Sequence, residues 1–198
     1  MPLSFASRRE AWSRFIVGLM LRNPENLARI KAELERHAAE NYETWREEYD
    51  RIKKPGAAPF ESIDALQSAK VMLWSLDKLI NNKTLLDGIS GLQWGMVDVG
   101  GTKYRLVTSD RPAVRTDGLS KPDSHLAIPL SPTPLFIATN NPRTTEQFQS
   151  MPPHDLVTRM NKRVVRNPIT YVWDTGLINE ALIKGQLGAD AASDPRYF

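Results

Sequence analysis

The sequence predicts an α+β fold in which an N-terminal helical half of three main helices packs on a small, mainly antiparallel sheet with a late amphipathic helix. Three observations carry this reading. Apolar residues recur at helical spacing up to about residue 90, the period shortens to that of extended chain from Gln93, and a helical pattern returns between Pro152 and Arg166. The 198 residues read as a single domain, 1–198, with a helical half at 1–90, a β-rich half with the late helix at 91–176, and a C-terminal helix and tail at 177–198. Hydrophobic residues at 41% and charged residues at 25% are the composition of a chain that folds, which excludes a disordered tail.

The first helix opens with Ser7 and Glu10 at capping-box spacing, and Trp12, Phe15, Ile16, Leu19 and Met20 recur along one face. Asn23-Pro24 ends it and begins the next, because proline suits a first helical position and disfavours helix in the residue before it. A second helix is predicted from Pro24 to Lys53, its apolar stripe formed by Leu27, Ile30, Leu34, Ala38, Trp45 and Tyr49. His37 lies beside that stripe with no second His or Cys nearby, so it reads as a surface histidine. After the hinge "KKPGAAPFES" a third helix spans Pro59 to Ile80 and carries Ile63, Leu66, Leu73, Trp74, Leu76 and Ile80. That arc is wide enough to predict a central helix, buried by several neighbours and packed on the sheet.

In the β half, "QWGMVDV", Gly100-Gly101 and "TKYRLVTSD" predict a hairpin with a two-glycine turn. "LAIPLSPTPLFIATN" supplies two further strands around a proline turn, with Pro129 and Pro132 pointing to an edge or a bulge, and "ITYVWD" supplies a last strand. "RPAVRTDGLSKPDSH" between them reads as a surface loop. "PPHDLVTRMNKRVVRNP" is a helix with Pro152 or Pro153 in its first turn. Its apolar face is Leu156, Val157, Met160 and Val164; at 100° per residue, Arg159, Lys162, Arg163 and Arg166 gather on the other face.

Composition narrows the chemistry. The chain has no cysteine, which excludes disulfides, thiolate nucleophiles and Cys-containing metal sites and suits a reducing, cytoplasmic location. The run "FIVGLML" is far short of the roughly 20 residues needed to span a bilayer, and no small-residue cleavage pattern follows it, so neither a signal peptide nor a membrane partner is expected. The formal net charge is +3, with acids and bases interspersed, so any basic surface is local. No P-loop or dinucleotide spacing surrounds the glycines, and no Asp pairs with a later Glu-x-Lys or Asp-x-Lys as in nucleases. Asp110, Asp117, Asp123 and His125 share one segment, but their spacing matches no ligand pattern; no metal site and no cofactor are assigned.

Two sets of candidate site residues remain. Ser109, Asp110, Ser131 and Asn161 form a candidate polar cluster at strand ends, whose members can cap turns and bridge backbone groups or face a ligand. Asp110 and His125 are a candidate catalytic acid/base pair, with Arg159, Lys162, Arg163 and Arg166 as candidate phosphate contacts.

The stretches "AWSRFIVGLMLRNPE", "LVTSDRPAV", "AIPLSPTPLFI" and "MNKRVVRNPITYVW" occur in an order and spacing that resembles the bacterial family called domain of unknown function 4238, over about residues 8 to 175. The family-like positions are Ser109, Asp110, Pro112, Pro129, Leu130, Ser131, Pro132 and Asn161. The resemblance implies a shared polar cluster. Family members usually begin with a segment holding His-x-Val-Pro-like and Tyr-Leu-x-x-Phe-like stretches, and this sequence starts directly before the first matched helix. Apolar faces around Trp12, Phe15, Leu19 and Trp74 are therefore expected to be covered by a second copy, making a homo-oligomer. The function expected is that of a soluble intracellular binding or interaction protein. The alternatives are an enzyme acting on a phosphate-containing or nucleic-acid substrate through Asp110 and His125, and nucleic-acid binding by the 159–166 helix face.

Overall fold

A computed structural model describes residues 5–116, 121–167 and 170–190. The fold is α+β, and the chain divides into two compact units, one formed by residues 14–83 and the other by 1–13 with 84–198.

The first unit takes the end of α1 (Phe5–Leu21), α2 (Pro24–Ile52) and α3 (Phe60–Ile80). The corner between α1 and α2 forms where the Asn-Pro pair demands it. The Asn23 side chain accepts from the Asn26 N–H at 2.8 Å, and the Asn23 and Asn26 amides both donate to the Met20 carbonyl. Helix α1 starts before Ser7, so Ser7 and Glu10 sit inside it and Ser7 is not its N-cap. His37 of α2 packs edge-on against Trp45 at 5.6 Å, in keeping with a surface histidine. Tyr42 and Tyr49 of α2 close on Phe60 of α3. α3 is not the buried central helix its apolar arc implied: Leu73 is 68% and Trp74 61% exposed. Ile63 and Leu66 have side chains outside those described.

The second unit holds α4 (Lys83–Ser90), β1 (Gln93–Asp98), β2 (Thr108–Ser109), β3 (Val114–Arg115), β4 (His125–Pro129), β5 (Pro134–Thr139), α5 (Pro142–Ser150), α6 (Pro153–Arg166), β6 (Val172–Trp173) and α7 (Glu180–Gln186). Four strands form an antiparallel sheet in the order β1-β5-β4-β3, and β2 pairs with β6 in a second sheet. β5 is an inner strand buried on both faces, which explains its unbroken apolar run. Leu135 and Ile137 join Val157, Met160 and Val164 of α6 in the core, while Phe136 on the opposite face meets the rings of Trp12 and Trp94 edge-on at 5.7 and 5.5 Å. Arg9 lies 3.9 Å over the Trp94 ring and donates to the Ser90 and Leu92 carbonyls, fixing the start of β1.

Three expectations for this half are corrected. β1 does not form a hairpin with the chain after Gly100-Gly101; its partner is β5. A two-residue hairpin turn needs positive φ at one or both central residues, and neither glycine has it. Instead Asp98 accepts from the Gly100 N–H, and the Val99 and Leu106 N–H groups both donate to the 132–133 turn. Pro129 and Pro132 do not mark an edge, because β4 and β5 are the inner strands; Pro129 closes β4 and Pro132 lies in the turn. The expected surface loop after Arg111 contains the edge strand β3, and Arg111 to Val114 are buried; Asp117 lies outside the described residues.

Candidate functional site

Helix α6 begins with Pro153 at a first-turn position, where the missing N–H costs nothing, and its period separates two faces cleanly. Leu156, Val157, Met160, Asn161, Val164 and Val165 are buried. Arg159, Lys162 and Arg163 are exposed, and among the described residues no salt bridge engages them. Arg166 is different. It forms a two-pronged ion pair with Asp190, both contacts at 2.6 Å, and the Gly188 and Asp190 N–H groups donate to the Val165 and Arg166 carbonyls. The hydrogen bond from Arg166, then its charge and those of Arg163 and Lys162, hold the Asp190 carboxyl below its ordinary pKa against the opposing effect of desolvation.

These four cations line one wall of a cleft of about 710 Å³, whose other walls come from β3, β4 and α5. His125, the first residue of β4, lines the same cleft. Its N–H donates to Thr116 Oγ1 at 3.0 Å, and its ring packs edge-on against Phe148 of α5 at 5.1 Å. Burial lowers the His125 pKa, with Arg163 pushing the same way against a hydrogen bond to the Asp123 backbone and the charge of Asp123; the lowering favours the neutral imidazole. Val114, Leu156, Met160 and Met151 give the cleft an apolar floor, and Thr116, Thr144 and Gln147 supply neutral polar groups. The carboxylates on its lining are Asp123 and the Arg166-bound Asp190.

The structure thus brings His125 together with Arg159, Lys162, Arg163 and Arg166, and it places Asp110 elsewhere. Asp110 Oδ2 accepts from the Thr170 and Tyr171 N–H groups at 2.8 and 3.2 Å, and the Asp110 N–H donates to the Tyr171 carbonyl, which anchors β6 beside β2. Ser109 accepts from the Arg111 N–H. Among the described acids near His125 in sequence, the one that lines the cleft is Asp123, which the sequence offered only as one of several acids in a turn-rich segment.

Asn161 is 1% exposed and has hydrogen bonds on both ends of its amide. Its Oδ1 accepts from the Val107 N–H at 3.0 Å; its Nδ2 donates to the Arg105 carbonyl at 2.7 Å and to Asn179 Oδ1 at 3.1 Å. Asn179 in turn donates to Asp174 and to the Arg105 carbonyl. Asn179 and Asp174 were not singled out from sequence. Asn179 precedes a helix as an N-cap would, yet its side chain makes no cap and turns to Asn161 instead. Ser131 is exposed, on the edge of a smaller pocket of about 180 Å³ between the proline turn and Leu106–Thr108. The polar positions therefore meet the 105–111 segment and its partner strand at separate points: Asn161 at Arg105 and Val107, Ser131 beside Leu106–Thr108, and Asp110 at β6.

Among the described residues no group of three or more His, Asp or Glu side chains is placed to hold a metal ion, and no helix is long and apolar enough to cross a membrane. No curated protein and no solved structure matches the chain. The family described as protein of unknown function (DUF4238) matches residues 4–174, most of the chain, and the protein belongs to that family.

Proposed function

We propose that the protein binds a phosphate-containing ligand in the cleft between β3–β4 and α5–α6. One observation carries the reading: Arg159, Lys162 and Arg163 are exposed on one wall of a concave site, with no carboxylate paired to them among the described residues. A solvated helix face usually pairs such cations with neighbouring acids, as α2 does with Arg36 between Glu33 and Glu40. Here the acid Asp190 is held in an ion pair with Arg166, and Arg159, Lys162 and Arg163 have no salt bridge among the described residues, which leaves them available to a ligand. Titration calorimetry at low salt with pyrophosphate and with phosphate monoesters should show saturable binding that weakens as salt is raised. Replacing Arg159, Lys162 and Arg163 with Ala should lower affinity by roughly tenfold per cation. No saturable binding of any of these ligands, or affinity unchanged in the triple variant, overturns the reading.

The enzymatic alternative rests on His125, whose neutral imidazole can act as a base in the same cleft. Asp110 is outside that cleft's lining, so the Asp110–His125 pair as such is replaced in this alternative by His125 alone. Phosphate release from a bound ester, lost in His125→Gln with binding retained, is its test.

We also propose self-association, supported by the exposure of Phe15, Leu73 and Trp74. Light scattering at micromolar concentration should report a dimer or larger species, and Trp74→Glu should shift it toward the monomer; a strict monomer at every concentration refutes it. The cysteine-free composition supports a cytoplasmic location.

A further inference from the structure

We infer that the ligand of this cleft is a mononucleotide, its phosphate held by Arg159, Lys162 and Arg163 and its base laid against Phe148 and His125. The inference rests on the phosphate-binding reading and specifies the rest of the ligand. A cleft of about 710 Å³ is of the size that encloses a small organic molecule, far more than a bare oxyanion fills. Its two sides differ in chemistry. The α6 wall offers Arg159, Lys162 and Arg163, which have no salt bridge among the described residues, while α5 and β4 offer two rings in edge contact, Phe148 and His125, over an apolar floor that includes Met151. A ligand with charge at one end and a flat, weakly polar ring at the other matches both sides together. Gln147 precedes Phe148 on α5 and lines the cleft with an exposed amide, which carries both the donor and the acceptor that a base edge requires. The two sides belong to one site, since Arg163 and His125 line the same cleft.

The test compares inorganic phosphate, pyrophosphate, the four ribonucleoside monophosphates, their nucleosides and a short single-stranded RNA by titration calorimetry with the intact chain. At least one monophosphate should bind about tenfold or more tighter than inorganic phosphate and than its own nucleoside. Phe148→Leu keeps an apolar side chain but removes the ring, and Gln147→Ala changes an exposed position; each should weaken the nucleotide several-fold and leave phosphate affinity unchanged. Arg163→Ala should weaken both. Equal affinities for phosphate and nucleotide, with Phe148→Leu silent, overturn this inference and leave the phosphate-binding reading standing. Binding of neither overturns both. RNA binding far tighter than any mononucleotide, and insensitive to Phe148→Leu and Gln147→Ala, reassigns the basic wall to nucleic acid and also overturns it.

Discussion

Ile137→Ala is expected to lower the free energy of unfolding by about 3–4 kcal/mol, read as a shift of the urea midpoint with an unchanged slope. Ile137 is fully buried at the middle of β5, where its cross-strand partners are Gly95 on β1 and Ala127 on β4. Neither neighbour has a side chain able to reach into the space that the substitution opens. A Cβ built on Gly95 would come within 3.2 Å of Ile137 Cγ1 and 3.4 Å of its Cδ1, so the isoleucine already covers the glycine. Strands held on both sides cannot close the gap by moving inward, which places the cost toward the upper part of the large-to-small range. Gly95→Ala should cost roughly 1 kcal/mol alone and less beside Ile137→Val, which deletes Cδ1, one of the two crowding atoms, and gives the remaining γ carbon room to shift. A cycle with no coupling between the two sites would show that the pair does not share this space.

The second large effect is expected at Asn161. Removing its amide in Asn161→Ala should cost about 2–4 kcal/mol by denaturant unfolding, since the buried Val107 N–H loses its acceptor and the Arg105 carbonyl loses one of its two donors. Asn161→Asp keeps the shape and should cost more at pH 7. It sets an oxygen where Nδ2 now faces the Arg105 carbonyl and Asn179 Oδ1, both acceptors. Burial and those acceptors would raise the new carboxyl's pKa in the folded state above its unfolded value. The sign follows: the variant's deficit is smallest below the unfolded pKa and grows as pH rises toward neutrality. An Asp variant as stable as the parent at pH 7 would mean that Asn161 fills space without acting through its hydrogen bonds.

The elements that could be read from sequence are those whose cues are local and agree. α6 has a proline in its first turn, a clean helical period and opposed faces, and β4–β5 is two apolar runs around a proline turn. The partner of β1 was misread because a Gly-Gly pair is a hairpin cue only if its backbone takes positive φ, and that is decided by the distant 132–133 turn to which both flanks bond. α5 escaped notice because "PRTTEQFQS" carries one large apolar residue, although Asn141-Pro142 signals its start and Asn141 does accept from the Thr144 N–H. At the site, helical geometry alone grouped Arg159, Lys162 and Arg163. That His125 faces them depends on how α6 crosses the sheet, and that Arg166 is engaged depends on the return of the chain at Asp190, neither of which has a local signature.

The pairing of β2 with β6 has a consequence for the chain during its synthesis. Asp110 and Tyr171, bonded in the finished fold, are 61 positions apart, whereas β4 and β5 meet across a short turn. Closing the shorter loop costs less entropy, so the β4–β5 hairpin forms first and the small sheet last. At roughly 5–20 residues per second on a ribosome, β2 has left the exit tunnel several seconds before its partner strand exists. Over that interval its backbone edge is open to solvent and to other chains. Asn161 emerges ahead of β6 and grips Arg105 and Val107, just upstream of that edge, so its amide adds to the earlier Leu106–Pro132 bond in holding the waiting strand in register. Variants weakened there would accumulate less folded protein in cells than their equilibrium stability alone accounts for, since the loss falls on nascent chains before the last strand can protect them.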